Sequence, residues 1–411
     1  MSELRPRRRR GPLPVARHGR LKRSRPVRTV FGYLGGALAV VLVSVLSVTA
    51  VSAYQLVGDV GSGVHLLNET DGPAPAIGDY SGGFNVLIAG SDDGSGEAQY
   101  GKRGENLNDV TILLHVSADH SNAVAVSFPR DLMVPIPACP KADGSGTSPA
   151  SSSAQINETL ERGGLACTVL TVEALTGLTI PYAGEIHFAG VVEMSNAIGG
   201  VPVCVTAPIH DPYTGLSLPA GTSTISGAQA LAFLRSRHGV GDGSDLGRIN
   251  SQQVFLSSMI RTIRSADVLG NPLKVYSLAK AAATNMQLSS SLENVTTIVS
   301  MAEALKSIPP KNITFVQYPS ATGLPGIAPG RVGPLTAEAT ALMDQIKADK
   351  PFSVDASVKK IGSELDPTAT TSPSPSTSAT ATPSPSDGAA PVLSGVGGQT
   401  ADQQTCSIAN R

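Results

Sequence analysis

The feature that most constrains this chain is a run of thirty residues without a charged side chain, from Thr29 to Gly58. Its centre, FGYLGGALAVVLVSVLSVTAVSAY, is long enough to cross a membrane as a helix, which takes about 20 apolar residues. Residues 1–28, just before it, hold eleven Lys and Arg and a single acid, Glu3. Because basic flanks stay on the cytoplasmic side, the pattern predicts a cytoplasmic tail, a transmembrane helix over 29–58 and an extracytoplasmic remainder.

A cleaved signal peptide is the alternative interpretation of this segment. Val51-Ser52-Ala53 resembles a small-residue cleavage site. The apolar core of a signal peptide spans about 7–15 residues, and this one is longer, so a retained anchor is favoured. The basic tail would also suit nucleic acid, but membrane orientation already accounts for it, and we expect no nucleic-acid partner.

The remainder of the chain divides by composition. Residues 59–82 read as a Gly/Pro-containing linker, and 83–350 as the folded extracytoplasmic domain. Residues 351–411 are predicted to be a low-complexity tail, because Ser, Thr and Pro dominate from about Asp366 onward and bury too little apolar surface to order themselves. A span across the wall, a carrier of O-linked sugars and a passive tail all suit this composition.

Four cysteines lie on the predicted outer side, where disulfides persist: Cys139, Cys167, Cys204 and Cys406. Four cysteines allow three pairings, which the sequence leaves open. Cys139 with Cys167 is the preferred pair, because the two flank one Gly/Ser-rich loop. No CxxC pair or His/Cys cluster is present, so a zinc site is not predicted.

Apolar runs in the domain predict strands mixed with helices. Predicted strands cover 84–89, 110–116, 122–128, 201–205 and 313–318. Predicted helices lie around 188–198, 228–234, 273–283 and 292–305, and one more begins at residue 245. This mixture argues for an α/β (or α+β) fold, with a mixed central sheet flanked by helices. His115 lies inside an apolar strand, so we expect a core or pocket-wall histidine rather than a base.

The chemistry gathers around one stretch, ALAFLRSRHGVGDGSDLGRINSQQ, from Ala230 to Gln253. Arg235 and Arg237 end one predicted helix, and a Gly/Asp loop separates them from Arg248 on the next. Arg248 and Gln252 are four residues apart and therefore share a helical face. A guanidinium group is a planar fork suited to phosphate, and these arginines stand out because residues 29–411 hold 20 basic against 31 acidic side chains.

Carboxylates follow the predicted strand ends: Asp92, Asp93, Asp109 and Asp131, with Arg130 beside the last. Carboxylates that share a site with phosphates usually do so through Mg²⁺. The combination predicts phosphoryl transfer, in which positioning and charge neutralisation dominate. Two plainer interpretations compete with this one: solvated ion pairs, such as Asp245 with Arg248, and ordinary turn chemistry of Asp at strand ends.

The chain resembles the LytR-CpsA-Psr family of bacterial cell-envelope proteins, in its actinobacterial form, over residues 83–320. The most specific match is the R-x-R, Gly/Asp loop, D-L-G-R and Gln-pair order of the stretch above. Further matches are NVLIAGSD at 85–92, Asn108-Asp109, SFPRD at 127–131, Ile156-Asn157 and AIGGVPV at 197–203.

This resemblance implies transfer of a glycan polymer from a polyprenyl-pyrophosphate carrier to peptidoglycan, with a phosphodiester link formed. It implies that Asp92 and Asp109 bind Mg²⁺ (or Mn²⁺), and that an apolar pocket takes the polyprenyl chain. The implied pyrophosphate ligands are Arg130, Arg235, Arg237, Arg248 and Gln252. The implied catalytic residues are Arg130, Asp131, Arg235 and Arg237, with Asp92 or Asp131 assisting deprotonation. The implied partners are the lipid-linked glycan, peptidoglycan and the membrane.

Two positions depart from the family pattern. Leu107 stands where the family often has an Arg before Asn108-Asp109, and Ser251 stands where it often has an Arg before the Gln pair. Arg103 is a candidate replacement for the first. Two rival functions follow: a non-catalytic scaffold that binds polyprenyl phosphate or glycan, and a pyrophosphatase that only hydrolyses the carrier. A transcriptional role fits poorly, because the matching motifs all lie on the predicted outer side.

Overall fold

The computed structural model describes residues 63–69, 75, 80–92, 106–265, 268, 271–369 and 390–410. The predicted cytoplasmic tail and the predicted helix over 29–58 lie outside these residues. Within the described part of the chain, no helix combines the length and apolarity needed to cross a membrane. The chain divides into two units, Met1–Ala53 and Tyr54–Arg411, and every described residue belongs to the second.

The described residues form the following elements in chain order. The strands are β1 Phe84–Ser91, β2 Asn108–Val116, β3 Ala123–Phe128, β4 Met133–Ile136, β5 Cys139–Pro140, β6 Thr147–Ser148, β7 Ser151–Gln155, β8 Tyr182–Ile186, β9 Val201–Val205, β10 Ile209–Asp211, β11 Leu216–Leu218, β12 Gly221–Ile225, β13 Met286–Leu288, β14 Ile313–Gln317, β15 Ser320–Thr322, β16 Val332–Pro334, β17 Ser353–Val354, β18 Ser363–Leu365, β19 Val392–Leu393, β20 Gly398–Thr400 and β21 Thr405–Ser407. The α-helices are α1 Thr159–Thr176, α2 Phe188–Ala197, α3 Gly227–Arg235, α4 Asp245–Arg264, α5 Pro272–Asn285, α6 Val295–Ser307 and α7 Thr336–Lys347.

A seven-stranded sheet organises the domain, in the order β13-β8-β1-β2-β3-β14-β20. β1, β2 and β3 pair antiparallel, whereas β8 runs parallel to β1 and β14 runs parallel to β3. The predicted α/β class with a mixed sheet is therefore confirmed for the described residues. Because β1, β3, β8 and β14 all run in one direction, their C-terminal ends meet at one edge of the sheet, together with the start of β2.

Both faces of this sheet are covered, which explains why its strands read as nearly continuous apolar runs. Leu87 and Leu113 face a core closed by α1 and α7. Ile112 and the neighbouring Val110 face the other side, where α6 and the partly buried face of α4 pack. All six residues of β3 are buried.

Helix α4 carries the D-L-G-R segment, and it lies inside the protein rather than on its surface. Ser244 caps it: its Oγ accepts a hydrogen bond from the Gly247 N–H at 3.2 Å, which satisfies one of the unpaired N–H groups of the first turn. α4 packs against β14 of the large sheet and against β9, β21 and β18 of a smaller four-stranded sheet. This position explains why polar residues on α4 are buried.

The preferred disulfide, Cys139–Cys167, is present and ties β5 to α1. Sequence patterns did not predict α1, because Gly163 and Gly164 interrupt it with non-helical backbone angles. A Cβ on Gly163 would lie 2.5 Å from the Pro140 carbonyl oxygen, so only glycine lets α1 approach β5 this closely. The interruption therefore serves the packing around the disulfide. Cys204–Cys406 forms the second disulfide.

The end of the chain differs from the expected low-complexity tail over 351–411. β20 pairs antiparallel with β14, and β21 pairs parallel with β9, where Cys406 is bonded to Cys204. The Ser/Thr/Pro-rich stretch in the middle of 351–411 led to the prediction of a low-complexity tail over the whole segment. The residues after about 390 instead have buried side chains, such as Val396 and Gln399. The folded domain thus extends beyond the expected boundary at residue 350.

The expected linker over 59–82 also contributes to the core. Leu66 is buried against the face that α1 and α7 cover. The Val64 N–H donates to the Leu288 carbonyl at 2.8 Å, which fastens this segment to β13. These pairings were not predictable from a Gly/Pro-containing composition.

Candidate active site

The site begins at a β-bulge where β1 ends and β2 starts. Gly90 pairs with Val110 and Ser91 pairs with Asn108, so Asp109 is the extra residue between them. Bulges re-aim a side chain at the edge of a sheet and are common beside active sites. The bulge therefore separates the Asp109 carboxylate from the regular alternation of β2.

Arg130 follows β3 at the same edge and reaches Asp109. Its Nη1 lies 2.6 Å from Asp109 Oδ1, and its backbone N–H donates to Asp245 Oδ2 at 3.1 Å. Arg130 Nε lies farther from the carboxylates, at 3.7 Å from Asp131 Oδ2 and 4.0 Å from Asp245 Oδ1. The predicted residues Arg130, Asp131 and Asp109 are thus neighbours in space.

Arg248 joins the group from the first turns of α4. Its Nη2 lies 2.6 Å from Asp245 Oδ1 and donates to the Asp109 carbonyl oxygen at 2.7 Å. Arg248 is only 3% exposed, so its charge relies on these partners rather than on water. The Asp245–Arg248 pair expected from the spacing does form, but it belongs to a buried cluster and not to a solvated helix face.

Arg237 is the third arginine of this cluster and the least compensated. Burial lowers the pKa of Arg237, and the nearby charges of Arg130 and Arg248 lower it further, against the opposing effect of Asp245. Burial acts on the pKa of Arg130 in the same downward direction, but Asp109, Asp131 and Asp245 together raise it above its ordinary value. Arg130 is therefore held by carboxylates, whereas at Arg237 burial dominates and the effects of Arg130 and Arg248 oppose those of Asp245 and Asp131.

Three guanidinium N–H groups of the cluster have no hydrogen-bond acceptor among the described residues. They are the buried Nε atoms of Arg130, Arg237 and Arg248. A buried donor without an acceptor costs about 1–3 kcal/mol, and more for a charged group. Three such donors in one cluster, with like charges around Arg237, make this a site that an anion would complete.

Arg331 and Gln155 extend the cluster and were not predicted from the sequence. Arg331 Nη1 lies 3.2 Å from Asp131 Oδ1 and donates to Gln155 Oε1 at 2.6 Å. The Val332 N–H donates to the Asp131 carbonyl oxygen at 3.1 Å, which fixes the segment that carries Arg331. Arg331 lies in a Gly/Pro-rich stretch about 200 residues from Asp131, so no local pattern identifies it.

An apolar cavity of about 210 Å³ adjoins the cluster. Arg235, Arg248, Gln252 and Asp109 contribute to its wall. The rest of the wall is largely apolar and comes from β1, β2, β8, α2, α3 and α4, with Ile88, Val110, Phe188, Leu231, Phe255 and Met259 among its members. A single cavity therefore combines a largely apolar wall with guanidinium groups.

Arg235 and Gln252 both lie on the wall of this cavity. The Arg235 guanidinium carbon lies 4.3 Å from the centre of the Phe188 ring, a cation–π contact. Gln252 Nε2 donates to the Leu234 carbonyl oxygen at 3.0 Å, which ties α4 to the end of α3. The structure thus brings the predicted pyrophosphate ligands to one region but gives them unequal surroundings.

Asp92 and Asp109 are the predicted metal ligands: Asp92 directly follows the end of β1, and Asp109 is the bulge residue of β2. Asp92 is buried, and its Oδ1 accepts a hydrogen bond from the Leu107 N–H at 2.9 Å. The only group of three potential side-chain ligands found among the described residues includes Cys204 and Cys406, which are bonded to each other. Two carboxylates on paired strands suit a hard cation such as Mg²⁺, which takes few protein ligands and completes its shell with water and phosphate.

The structure explains the departure at Ser251 but not the one at Leu107. Ser251 is fully buried, and its Oγ lies 3.4 Å from the Gly362 carbonyl oxygen. A Cβ added to Gly362 would lie 2.1 Å from the Gly247 carbonyl oxygen, so the segment before β18 already fills the space beside α4. An arginine at 251 has no room here. Arg103 and Asp93 lie outside the described residues.

The loop that carries Arg237 is held from two sides. On one side, Asp211 at the end of β10 accepts hydrogen bonds from Ser236 Oγ at 2.6 Å and the Gly239 N–H at 3.3 Å. On the other side, the chain end supports it: the Gly241 N–H donates to the Ile408 carbonyl at 2.8 Å. Neither support was predicted, because each comes from a distant part of the chain.

Comparisons with known proteins fit this geometry. The LytR_cpsA_psr family profile matches residues 59–333. Cell wall biosynthesis protein LcpA of Corynebacterium glutamicum is 31% identical over 338 residues, which cover 75% of this chain and 62% of that protein. The polyisoprenyl-teichoic acid–peptidoglycan teichoic acid transferase TagU of Enterococcus faecalis is 26% identical over 213 residues, which cover 52% of this chain and 63% of that protein. The chain thus spans about six tenths of the length of these relatives.

A crystal structure of a Streptococcus agalactiae protein has the same fold. The two superpose with a TM-score of 0.53 at 23% identity, covering 68% of this chain and 92% of the other. At this identity the likeness concerns the fold alone.

Proposed function

The chain belongs to the LytR-CpsA-Psr family, and from that premise we propose that it transfers a glycan from a polyprenyl-pyrophosphate carrier to peptidoglycan, leaving a phosphodiester link. The observation that carries this proposal is the buried arginine cluster beside an apolar cavity. The unpaired Nε–H groups of Arg130, Arg237 and Arg248 suit a pyrophosphate. The cavity suits the isoprenoid chain next to it.

In the proposed reaction, a sugar hydroxyl of peptidoglycan attacks the phosphorus nearer the glycan. A new bond forms between that oxygen and phosphorus, and the bond from the same phosphorus to the bridging oxygen breaks. Polyprenyl phosphate leaves with the bridging oxygen. Negative charge grows on the leaving phosphate, and Arg130, Arg237 and Arg248 neutralise it. Such electrostatic stabilisation of the transition state is the largest contribution that a preorganised site makes to the rate.

The hydroxyl proton needs an acceptor, and we assign this role to Asp131. Asp131 lies against Arg130 and Arg331, and therefore beside the proposed phosphate position. Asp92 is the other candidate, but it is deeper and is assigned to the cation. Arg235 borders the cavity through its contact with Phe188, which suits the junction of pyrophosphate and isoprenoid.

Asp92 and Asp109 would hold Mg²⁺ or Mn²⁺. When bound, the ion would offset phosphate charge as a Lewis acid. Because Asp109 already contacts Arg130, the carboxylate would couple the cation to the arginine cluster.

We also propose that this domain works outside the membrane, attached by the segment over 29–58. Support comes from the uncharged segment with its basic flank and from two disulfides, Cys139–Cys167 and Cys204–Cys406, which persist in oxidising compartments. Cleavage of the domain by protease added to intact spheroplasts would test this orientation.

Transfer is tested with the full chain in detergent micelles, Mg²⁺, a polyprenyl-pyrophosphate glycan and purified peptidoglycan. The expected product is glycan bound to peptidoglycan through a phosphodiester. Arg237→Ala is expected to lower the transfer rate about 10²- to 10³-fold, because it removes a charge from the cluster without cutting an ion pair of the core. Arg162→Ala is the matched control, since among the described residues the Arg162 side chain pairs with Glu158, directly before α1.

The rival functions give different results in the same assay. Binding of the lipid-linked glycan without turnover would indicate a scaffold. Release of polyprenyl phosphate without glycan on peptidoglycan would indicate a pyrophosphatase. Equal transfer by the wild type and Arg237→Ala would remove the arginine cluster from the mechanism.

A further inference from the structure

An exposed aromatic pair, Tyr213 and His238, includes the residue that follows Arg237 in the chain and takes no part in the function described so far. Tyr213, in the turn between β10 and β11, is 78% exposed. Its ring centre lies 4.4 Å from that of His238, with the two rings tilted by 38°. Among the described residues with large, mostly exposed apolar side chains, Tyr213 is the aromatic one.

A single buried carboxylate fixes this pair relative to the arginine loop. Asp211 Oδ1 accepts a hydrogen bond from the Tyr213 N–H at 3.0 Å. Its Oδ2 accepts from Ser236 Oγ at 2.6 Å and from the Gly239 N–H at 3.3 Å. Asp211 is fully buried, and burial alone would raise its pKa, but the hydrogen bonds outweigh this effect and lower it. The turn with Tyr213 and the loop with Arg237 are therefore one rigid unit.

Within that unit, His238 and Arg237 are consecutive, so their Cα atoms are about 3.8 Å apart. The Arg237 side chain interacts with Arg130 and Arg248 in the half-buried cluster. His238 is exposed and carries the Tyr213 ring against it. The aromatic surface thus starts one residue away from the group that would bind phosphate.

The chemistry of the surface fits a sugar. A pyranose ring has an apolar face of C–H groups and a polar rim, and an exposed tyrosine with a histidine beside it offers the same combination of ring face and hydrogen-bonding edge. The buried Thr214 Oγ1, next to Tyr213, has no hydrogen-bond partner among the described residues.

We propose that Tyr213 and His238 form a sugar-binding subsite, which takes a pyranose ring adjacent to the phosphate that the arginine cluster holds. The subsite rests on the proposed function, since that function brings a sugar next to a phosphate. The ring comes either from the lipid-linked glycan or from the peptidoglycan acceptor, and both have the same stacking chemistry.

The first experiment measures transfer by the full chain with Tyr213→Ala, Tyr213→Trp and, as a control for an exposed apolar side chain elsewhere, Leu273→Ala (77% exposed). Tyr213→Ala is expected to raise one KM about 3- to 10-fold and leave kcat within about twofold, because only ring stacking is lost. Tyr213→Trp and Leu273→Ala are expected to match the wild type. The concentration of the lipid-linked glycan is varied in one set of assays and that of peptidoglycan fragments in the other. The substrate whose KM rises in Tyr213→Ala is the source of the bound ring.

The second experiment detects sugar binding without any reaction. Saturation-transfer NMR is recorded on the full chain in micelles with the N-acetylglucosamine–N-acetylmuramic acid disaccharide, and separately with the phosphate-free glycan. Transfer to one of these sugars is expected for the wild type and Tyr213→Trp, and strongly reduced for Tyr213→Ala.

The outcomes separate the subsite from the proposed function. Sugar binding that depends on Tyr213 supports the subsite even if no transfer product forms, in which case the proposed function alone fails. Unchanged KM values together with equal saturation transfer in the wild type and Tyr213→Ala overturn the subsite. Loss of binding to phospholipid vesicles in Tyr213→Ala, with sugar binding unchanged, would also overturn it in favour of a membrane contact.

Discussion

Buried polar side chains differ in their hydrogen bonding between the two ends of strands β1 and β2. At one end, His115 on β2 lies between Asn85 Oδ1 and Asp349 Oδ1, each 2.8 Å from a ring nitrogen. Asn85 Nδ2 in turn donates to the Thr179 carbonyl at 2.8 Å. At the other end, Arg130 and Arg248 contact Asp109, but their buried Nε–H groups have no hydrogen-bond acceptor within the described part of the chain.

This difference separates structural polar groups from functional ones. A buried network with every group paired stabilises a single arrangement, whereas an incomplete network costs free energy until something fills it. At the histidine end both ring nitrogens lie 2.8 Å from a side-chain oxygen, and the burial of the ring agrees with the expectation that His115 belongs to the core. The arginine end is incomplete, which is why the function is proposed there and not at the histidine.

Arg248→Ala is expected to have the largest effect of these substitutions, because it disturbs both folding and function at the arginine end of the strands. Transfer should fall about 10²- to 10³-fold, since a buried donor to the phosphate is lost. The free energy of unfolding should fall by about 3–5 kcal/mol, because Asp245 is left buried without its partner. Activity at low temperature and denaturant unfolding measure the two effects. Activity close to that of the wild type in the folded variant would contradict the assignment.

His115→Gln should separate the two ends by affecting stability alone. Loss of the network around His115 should cost about 1–3 kcal/mol in unfolding free energy, while kcat at a temperature where the variant is folded should stay unchanged. Denaturant unfolding and the transfer assay measure these quantities. Loss of activity with unchanged stability in His115→Gln would contradict the assignment of function to the arginine end of the strands.

The same histidine predicts a pH dependence of stability. Burial lowers the pKa of His115 below its ordinary value of 6.5, against the opposing effect of Asp349. The unfolded chain therefore takes up a proton more readily than the folded one as the pH falls below about 6.5. The stabilisation is present above that pH and is lost on acidification through the folded pKa. Unfolding free energy should thus decline less steeply with acid in His115→Gln than in the wild type.

Arg331→Ala should give the smallest effect and sharpen the boundary of the arginine end. The Arg331 side chain is 40% exposed, so solvent screens its charge more than that of Arg248. We expect transfer to fall only about 2- to 10-fold and Arg331→Lys to recover most of it. Phosphate-dependent thermal stabilisation provides a second measurement. A loss as large as that of Arg248→Ala would make Arg331 a full member of the site.

Much of the fold and part of the site could be predicted from local patterns. The apolar runs of β1, β2, β3, β9 and β14 identified five strands of the two main sheets. Helical spacing identified α4 from residue 245, and with it the shared face of Arg248 and Gln252. These features depend on neighbours within a few residues, for which periodicity and turn chemistry are direct evidence.

Apart from α1, which Gly163 and Gly164 interrupt, the failures share one physical cause, which is distance along the chain. The pairing of β20 with β14 and the Cys204–Cys406 bond join segments with a Ser/Thr/Pro stretch between them, and composition hid the short strands beyond it. Arg331 reaches Asp131 across 200 residues. None of these three contacts leaves a periodic signal, because each depends on where the whole chain has already folded.

The sequence alone determined which chemical groups this protein has: an uncharged segment with a basic flank, arginines around a glycine loop, and carboxylates at strand ends. Only the tertiary structure decided which charges and hydrogen-bonding partners surround each of those groups. It surrounded Arg130 with carboxylates and placed Arg237 among other guanidinium groups. It also filled the space at Ser251 with Gly362 and tied Tyr213 to the arginine loop through Asp211. Residue types fix charge and hydrogen-bonding capacity, whereas burial and the spacing between distant segments decide which of those capacities are left for a ligand.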